Sequence, residues 1–167
     1  MGELEKDKIM VNVLDADSLI PEQYVCEIDR RVGKSWVDRH RFIFQLPQIF
    51  SVNAKQVPLL VSYVDTLMAF SHEGGLYSPF SHYSIAMSNY SLSYCLLERI
   101  GFWDVCEMSK GEDQRISAKA YFETNGDVFV KPIFVPANQL SLRTGKGIIA
   151  DCFVRFGLAK RLFKDQV

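Results

Sequence analysis

The sequence predicts one α+β domain, in which a mainly antiparallel sheet, formed by an N-terminal meander and a C-terminal hairpin, packs against about three helices. Three observations predict this class. The 167 residues are 48% hydrophobic and 23% charged, as in ordinary globular domains. Segments with two-residue apolar alternation and segments with three- and four-residue apolar steps both occur along the chain. Neither a linker nor an internal repeat divides it, so a single domain over residues 1–167 is expected.

The N-terminal segments are predicted to form the meander. Apolar alternation over residues 9–14 predicts a first strand, and a second strand is expected over residues 24–29. The basic stretch 30–35 contains a glycine and is predicted to turn. A third strand then covers residues 36–46, and Pro47 ends it because proline cannot donate a hydrogen bond to a neighbouring strand.

Two helices are predicted in the middle of the chain. Residues 53–71 carry apolar side chains at three- and four-residue steps, the period of one buried helical face. Pro58 is acceptable only in the first helical turn, so the helix begins near residue 55 or later, and the glycine pair 74–75 is predicted to end it. The second helix follows a polar cap at residues 88–89 and ends at Gly101.

A β-hairpin is predicted to turn at Asn125 and Gly126. Apolar alternation precedes this pair over residues 116–122 and follows it over residues 128–134. An Asn-Gly pair favours a type I′ turn, because both central residues of that turn need positive φ. In this register the missing N–H of Pro132 faces away from the partner strand, which predicts that the second strand is a sheet edge.

Two further elements complete the prediction. Residues 102–108 are expected to form a buried strand before the hairpin, and residues 146–164 a terminal helix with a broad apolar stripe. Gly157 interrupts that helix, which favours close packing at this point.

Several functional classes are disfavoured by composition. The longest apolar run is about five residues, far below the ~20 that cross a bilayer, and the N-terminus has no basic and apolar regions of a secretory signal. The four cysteines show no C-x-x-C spacing, which predicts reduced thiols in a cytoplasmic protein. They are Cys26, Cys95, Cys106 and Cys152.

No motif predicts catalysis, a cofactor or a metal site. The three histidines lack a helical ligand spacing, and no serine lies in a G-x-S-x-G sequence. Residues 33–35 and 145–147 are glycine-lysine sites without the first glycine of a phosphate loop. The second site, Gly145-Lys146-Gly147, precedes a predicted helix whose free N–H groups can hold an anion. It supports, together with Arg143, the alternative of a small enzyme or nucleotide-binding protein.

Charge is segregated along the chain. Residues 30–41 carry a net charge of +4 and residues 143–164 a net charge of +5, whereas the whole chain carries −1. Two interpretations of these segments are open. They are ordinary solvated surface, or they bind an acidic partner such as nucleic acid or an anionic membrane. The candidate contacts are Arg30, Arg31, Lys34, Trp36, Arg39, His40, Arg41, Arg143, Lys146, Arg155, Lys160, Arg161 and Lys164.

A protein contact is predicted elsewhere. Tyr77, Phe80 and Tyr83 lie on a loop marked by glycine and proline, so their rings form an exposed patch or fold back into the core. The edge strand at Pro132 is a second candidate, because an edge can pair with an added strand.

The leading functional hypothesis is therefore a non-enzymatic binding or assembly protein of structural or adaptor type. A basic hairpin and a basic C-terminal helix would contact an acidic partner, and the edge strand or aromatic loop would contact another protein or a second copy. The order of elements is compatible with small assembly proteins of viruses or mobile elements, and equally with many others.

Overall fold

The computed structural model describes residues 6–33, 38–77, 85–104 and 111–164, without the side chains of residues 38 and 161–164. Within these residues the fold is α+β, which confirms the predicted class. The helices are α1 (Glu22–Val32), α2 (Leu59–Leu76), α3 (Tyr94–Arg99), α4 (Glu112–Glu123) and α5 (Ile148–Lys164). The strands are β1 (Met10–Val13), β2 (Ser18–Leu19), β3 (Phe42–Gln45), β4 (Gln48–Ile49), β5 (Tyr90–Ser93), β6 (Phe129–Pro132) and β7 (Ala137–Gln139). Short 3₁₀ turns span Asp38–Arg41 and Ala54–Gln56.

The strands form two mixed sheets. The larger has the order β1-β5-β3-β6, with β5 antiparallel to β1 and β3, and β6 parallel to β3. The smaller has the order β2-β7-β4, antiparallel between β2 and β7 and parallel between β7 and β4. The predicted meander is wrong, because β1 pairs with β5 from the middle of the chain rather than with a sequential neighbour.

The central strand β3 separates two cores. Ile43 packs in one core and its neighbour Phe44 in the other, as expected for successive side chains of a strand. The first core contains buried residues of β5, α3 and α4, including Leu92, Leu96 and Ile116. The second contains α1 and the segment after β6. Both faces of the larger sheet are therefore covered.

Helix α1 replaces the strand predicted over residues 24–29. Tyr24, Ile28 and Val32 are its buried residues, spaced by four so that they share one helical face. The strand prediction is wrong because it rested on residues 24–29 alone, and six residues are too few to show a four-residue period. The predicted basic hairpin of residues 30–41 is also wrong, since Arg30 and Arg31 lie in the last turn of α1 and Asp38–Arg41 is a 3₁₀ turn.

The hairpin predicted at Asn125 and Gly126 is wrong. Helix α4 occupies the first proposed strand, and the two residues end it, with φ of 54° and 80°. The N–H of Gly126 donates to the carbonyl of Tyr121 at 2.8 Å, and that of Asn125 to the carbonyl of Phe122 at 3.2 Å. These two bonds define a Schellman helix ending. Positive φ is common to this ending and to a type I′ turn, so the Asn-Gly pair could not distinguish them.

The strand containing Pro132 does lie at a sheet edge, although it pairs with β3 and not with residues 116–122. The N–H of Ile133 donates to the carbonyl of Gln45 at 2.8 Å, so the preceding backbone position faces outward. Pro132 lacks the outward N–H, and its carbonyl accepts a hydrogen bond from Arg31 at 2.9 Å. An added strand would have to displace Arg31 at this end of the edge, and the protein contact at Pro132 stays a prediction.

The remaining helix predictions are confirmed in part. α2 starts directly after Pro58 but continues through the glycine pair 74–75, and the cap of α3 is Ser93 rather than residues 88–89. Gly101, with φ of 74°, follows α3 as predicted. The terminal helix agrees with α5. The strand predicted over residues 102–108 is not found in residues 102–104, and the rest lies outside the described residues.

Two glycine substitutions test these helix assignments. Gly126→Ala should lower the free energy of unfolding by about 1–2 kcal/mol, because its φ is positive and the new Cβ would lie 3.3 Å from the Tyr121 ring. Gly157→Ala is the matched control. Its Cβ would meet no atom within 4 Å, contrary to the predicted close packing, so it should raise stability by about 0.5–1 kcal/mol. Urea denaturation measures both changes, and equal effects would contradict the assignment.

Candidate functional site

The first basic segment is largely paired with carboxylates. Arg30 and Arg31 both donate to Glu27, at distances of 2.6–2.7 Å, and these bonds lower the pKa of Glu27 to about 2. Arg41 bonds to Asp127. The buried Arg39 and the partly exposed His40 belong to a different cluster near β5. Lys34 and Trp36 lie outside the described residues.

The second basic segment divides between surface and interior. Lys146 and Lys160 are exposed, and Arg143 donates to the side chain of Gln56 at 3.2 Å. Arg155 is turned inward. Arg161 and Lys164 belong to α5, but their side chains are outside the described part of the structure. The acidic-partner surface stays a prediction, with fewer unpaired cations among the described residues than the sequence suggested.

The helix start at residues 145–147 already has a negative group. The Asp151 carboxylate is buried and accepts hydrogen bonds from the Thr144 N–H, at 2.7 Å, and hydroxyl. These bonds lower the pKa of Asp151. A cavity of about 300 Å³ lies beside it, lined partly by Lys55 and Arg143. A carboxylate thus occupies the place that an anion would take in the nucleotide-binding alternative, which stays a prediction.

The aromatic loop is described only at its first residue. Tyr77 stacks on Phe134, with ring centroids 5.5 Å apart and an interplanar angle of 20°. Both rings are partly or largely exposed. Phe80 and Tyr83 lie outside the described residues, so their part in a protein contact stays a prediction.

An exposed apolar stripe that was not predicted from the sequence lies on α2. Successive residues of an α-helix are rotated by about 100° around its axis. On α2, five exposed side chains therefore fall within an arc of about 100° around the axis. The buried residues Val61 and Asp65 lie on the opposite side. The five exposed residues are Leu59, Leu60, Tyr63, Leu67 and Phe70.

Helix α5 adds to this surface. Ile149, Phe153 and Phe156 are exposed and lie within about 60° of one another around the helix. Leu60 of α2 and Phe156 of α5 line the same groove of about 250 Å³ between the two helices. The stripes of both helices therefore border one groove and form one surface, which we call the outer face: the five α2 residues with Ile149, Phe153 and Phe156.

A buried ion pair joins the two helices. The Arg155 guanidinium lies 2.5 Å from the Asp65 carboxylate, and the two side chains are 12% and 2% exposed. Arg155 also donates to the sulfur of Met68 at 3.0 Å. Since a buried ion pair is stable only with close geometry, it fixes how α5 lies on α2. The outer face is therefore a defined surface.

A signal for this surface was present in the sequence. Leu60 and Leu67 belong to the apolar steps of residues 53–71 that predict one buried helical face, but the structure shows both to be exposed. The helix thus carries apolar residues on its exposed side as well as on its buried side, and an apolar helical face is normally covered. That pattern indicates a second covering layer beyond the sheet.

No protein-family model matches the chain, and none of the curated proteins compared with it is similar. Among the helices of the described part, none is both long enough and apolar enough to cross a bilayer.

The ion pair gives a direct test of the α2–α5 arrangement. Arg155→Met should lower the free energy of unfolding by about 3–5 kcal/mol, because it leaves the buried Asp65 carboxylate unpaired. Lys119→Met, which breaks the more exposed pair with Asp104, should cost at most about 1 kcal/mol. Urea denaturation provides both values.

The double variant Asp65→Leu with Arg155→Met should recover most of that loss, because it removes both buried charges together. Independent, additive losses at the two positions would contradict the pairing.

Proposed function

We propose that this chain is a non-enzymatic binding or assembly protein, and that two copies pair through the outer face of α2 and α5. The observation that supports this proposal is the outer face itself, whose eight large apolar residues are exposed on two adjoining helices. Contiguous apolar surface of this kind is typical of protein contact sites. Aromatic side chains, which contribute most to such contacts, supply four of the eight.

A protein occupant fits this surface better than a lipid bilayer. Helices that lie in a membrane surface carry Lys and Arg along their polar face. Helix α2 contains neither residue type over its whole length, and the charged groups of its sequence are Asp65 and Glu73. The Asp65 carboxylate is buried against Arg155. Attraction to anionic headgroups therefore has no source on α2, and on α5 it would rest on the exposed Lys160, because Arg155 is turned inward.

A second copy is the favoured protein partner. A two-fold axis places the same patch on both sides of an interface, which requires a surface complementary to itself. None of the eight residues that define the outer face is charged. Lys160, which lies one turn beyond Phe156 on the same side of α5, is exposed at the end of this face, so a two-fold arrangement must keep the two Lys160 side chains apart. Two α2–α5 pairs would stack as helix layers with side chains interdigitating in the grooves. The groove beside Leu60 and Phe156 offers a recess for a ring of the other copy.

Two finer expectations belong to this proposal. A cytoplasmic location is supported by Cys26, Cys95 and Cys152, which are all free thiols. Contact with nucleic acid or an anionic membrane would rest on the exposed Lys146 and Lys160 rather than on residues 30–41. Any such contact should weaken with salt.

The proposal predicts a dimer in solution. Light scattering coupled to size exclusion should give twice the chain mass of 19.1 kDa for the wild type. Phe70→Glu and Phe153→Glu should each weaken dimerisation by about 30-fold or more, because they place a charge in the apolar interface. Both side chains are more than 70% exposed in the single chain, so neither change should affect its folding.

Phe122→Glu is the matched control, since Phe122 on α4 is 75% exposed but does not belong to the outer face. It should leave the dimer intact. A wild-type monomer at micromolar concentration would overturn pairing with a second copy. Co-sedimentation of the wild type, but not of Phe153→Glu, with anionic vesicles would overturn the choice of a protein occupant.

A further inference from the structure

Three potential metal ligands meet near the start of α3. Asp7 precedes β1, His40 lies on the Asp38–Arg41 turn, and Cys95 is in the first turn of α3. One atom from each residue, the Asp7 Oδ1, a His40 ring nitrogen and the Cys95 Sγ, lies within 4.8 Å of the other two. No metal site was predicted from the sequence, because its histidines show no ligand spacing along one helix. Here the fold collects them from three separate segments.

The distances in this cluster suit a tetrahedral ion. The Cys95 Sγ lies 3.1 Å from the Asp7 Oδ1, and the His40 Nε2 lies 3.7 Å from the same oxygen. Around a tetrahedral Zn²⁺, with bonds of about 2.0–2.3 Å, neighbouring ligand atoms are about 3.3–3.6 Å apart. The third pair, the His40 nitrogen and the Cys95 Sγ, lies within 4.8 Å, so an ion that binds all three atoms must draw these side chains together.

The tautomer of His40 is also that of a ligand. With the ring proton on Nδ1, the ring donates to the Ser93 Oγ at 2.8 Å and its Nε2 carries the lone pair. That lone pair accepts a long hydrogen bond of 3.4 Å from the Arg39 Nε, which an ion binding at Nε2 must displace. Ser93 is buried and also accepts the N–H of Leu96 as the cap of α3, which holds the hydroxyl in place. Histidines that bind metals are commonly oriented by such a second hydrogen bond.

The charges around the thiol set the conditions for binding. Burial and the bond to Asp7 raise the pKa of Cys95, Glu98 adds to this effect, and Arg39 opposes it. Burial and Arg39 lower the pKa of His40, and Asp7 opposes them. Lys6, a further cation nearby, is bound to Glu98. Zn²⁺ binds the thiolate form of cysteine, so a thiol proton must leave when the ion enters.

We propose that Asp7, His40 and Cys95 bind one Zn²⁺ ion, with the fourth position open to water. A thiolate and an imidazole select Zn²⁺ over Mg²⁺ and Ca²⁺, which prefer oxygen ligands. Once the thiol proton has left, thiolate and carboxylate together cancel both charges of the ion, so the buried Arg39 faces a neutral site. The half-exposed Asp7 side chain lies on the solvent side and provides the path of entry.

Calorimetric titration of the full chain with ZnCl₂ tests this proposal. We expect one ion per chain and release of one proton, so the affinity should rise about tenfold per pH unit between pH 6 and 8. Co²⁺ should give the near-ultraviolet thiolate charge-transfer band and the visible bands of a tetrahedral complex. Cys95→Ser should remove the charge-transfer band and lower Zn²⁺ affinity at least 100-fold, whereas Cys26→Ser, on α1, should change neither.

Three further variants separate metal binding from folding, with the thermal stability of each metal-free chain measured alongside. Asp7→Asn changes an exposed side chain and should lower the Zn²⁺ affinity at least tenfold. Ser93→Ala, which also removes the cap of α3, should lower the affinity 10- to 100-fold, whereas Ser93→Thr, which keeps the hydroxyl, should retain most of it. Absence of binding, binding without proton release, or equal losses in Cys95→Ser and Cys26→Ser would each overturn the proposal.

Discussion

The architecture depends on one buried amide, that of Gln45 in the central strand. This side chain is fully buried, and its Nε2 donates to the carbonyls of Met87 and Asn89 at 2.8 and 3.0 Å, while its Oε1 accepts the N–H of Met87 at 2.9 Å. The main-chain carbonyl of Gln45 binds the N–H of Ile133. Because an unpaired buried amide costs about 1–3 kcal/mol, this network stabilises one strand order against alternatives. One residue thus joins β3 to the segment before β5 and to the end of β6.

The order of the elements places α2 before β5. The antiparallel strand β5 carries the chain back across the sheet between the parallel strands β3 and β6, and α2 lies on the connection from β3 to β5. The helix packs on β4 and β6 with one side and on α5 with another. Its third side has no sheet or helix of the described chain over it, which produces the outer face. The exposed apolar surface is therefore a consequence of topology and of a helix that carries apolar residues on its exposed side as well as on its buried side.

The sequence predicted elements that local signals determine, and failed where several folds share a signal. Pro58 and the three- and four-residue apolar steps placed α2 and α5 almost correctly, because both signals act within one helix. Asn125 and Gly126 gave the right backbone conformation but the wrong element. The proposed metal site could not be predicted from the sequence. Asp7, His40 and Cys95 are far apart along the chain, and they come together because β1, β3 and β5, which lie next to them in sequence, pair in one sheet. Three of the described arginines of residues 30–41 are paired with carboxylates, Arg30 and Arg31 with Glu27 and Arg41 with Asp127. The net charge of a segment does not show such pairs, because the partner can lie outside the segment.

Two surfaces that the sequence offered for binding are occupied by the chain's own side chains, whereas the outer face is uncovered within the described residues. Arg31 covers the carbonyl of Pro132 at the sheet edge, so strand addition there would have to break a charged hydrogen bond. Asp151 occupies the start of α5, which makes an anion costly to bind at that point. The ion pair of Asp65 and Arg155, in contrast, helps to form an exposed surface. By holding α5 against α2, it keeps the two apolar stripes side by side, and a rigid preformed surface loses less entropy on binding than a flexible one.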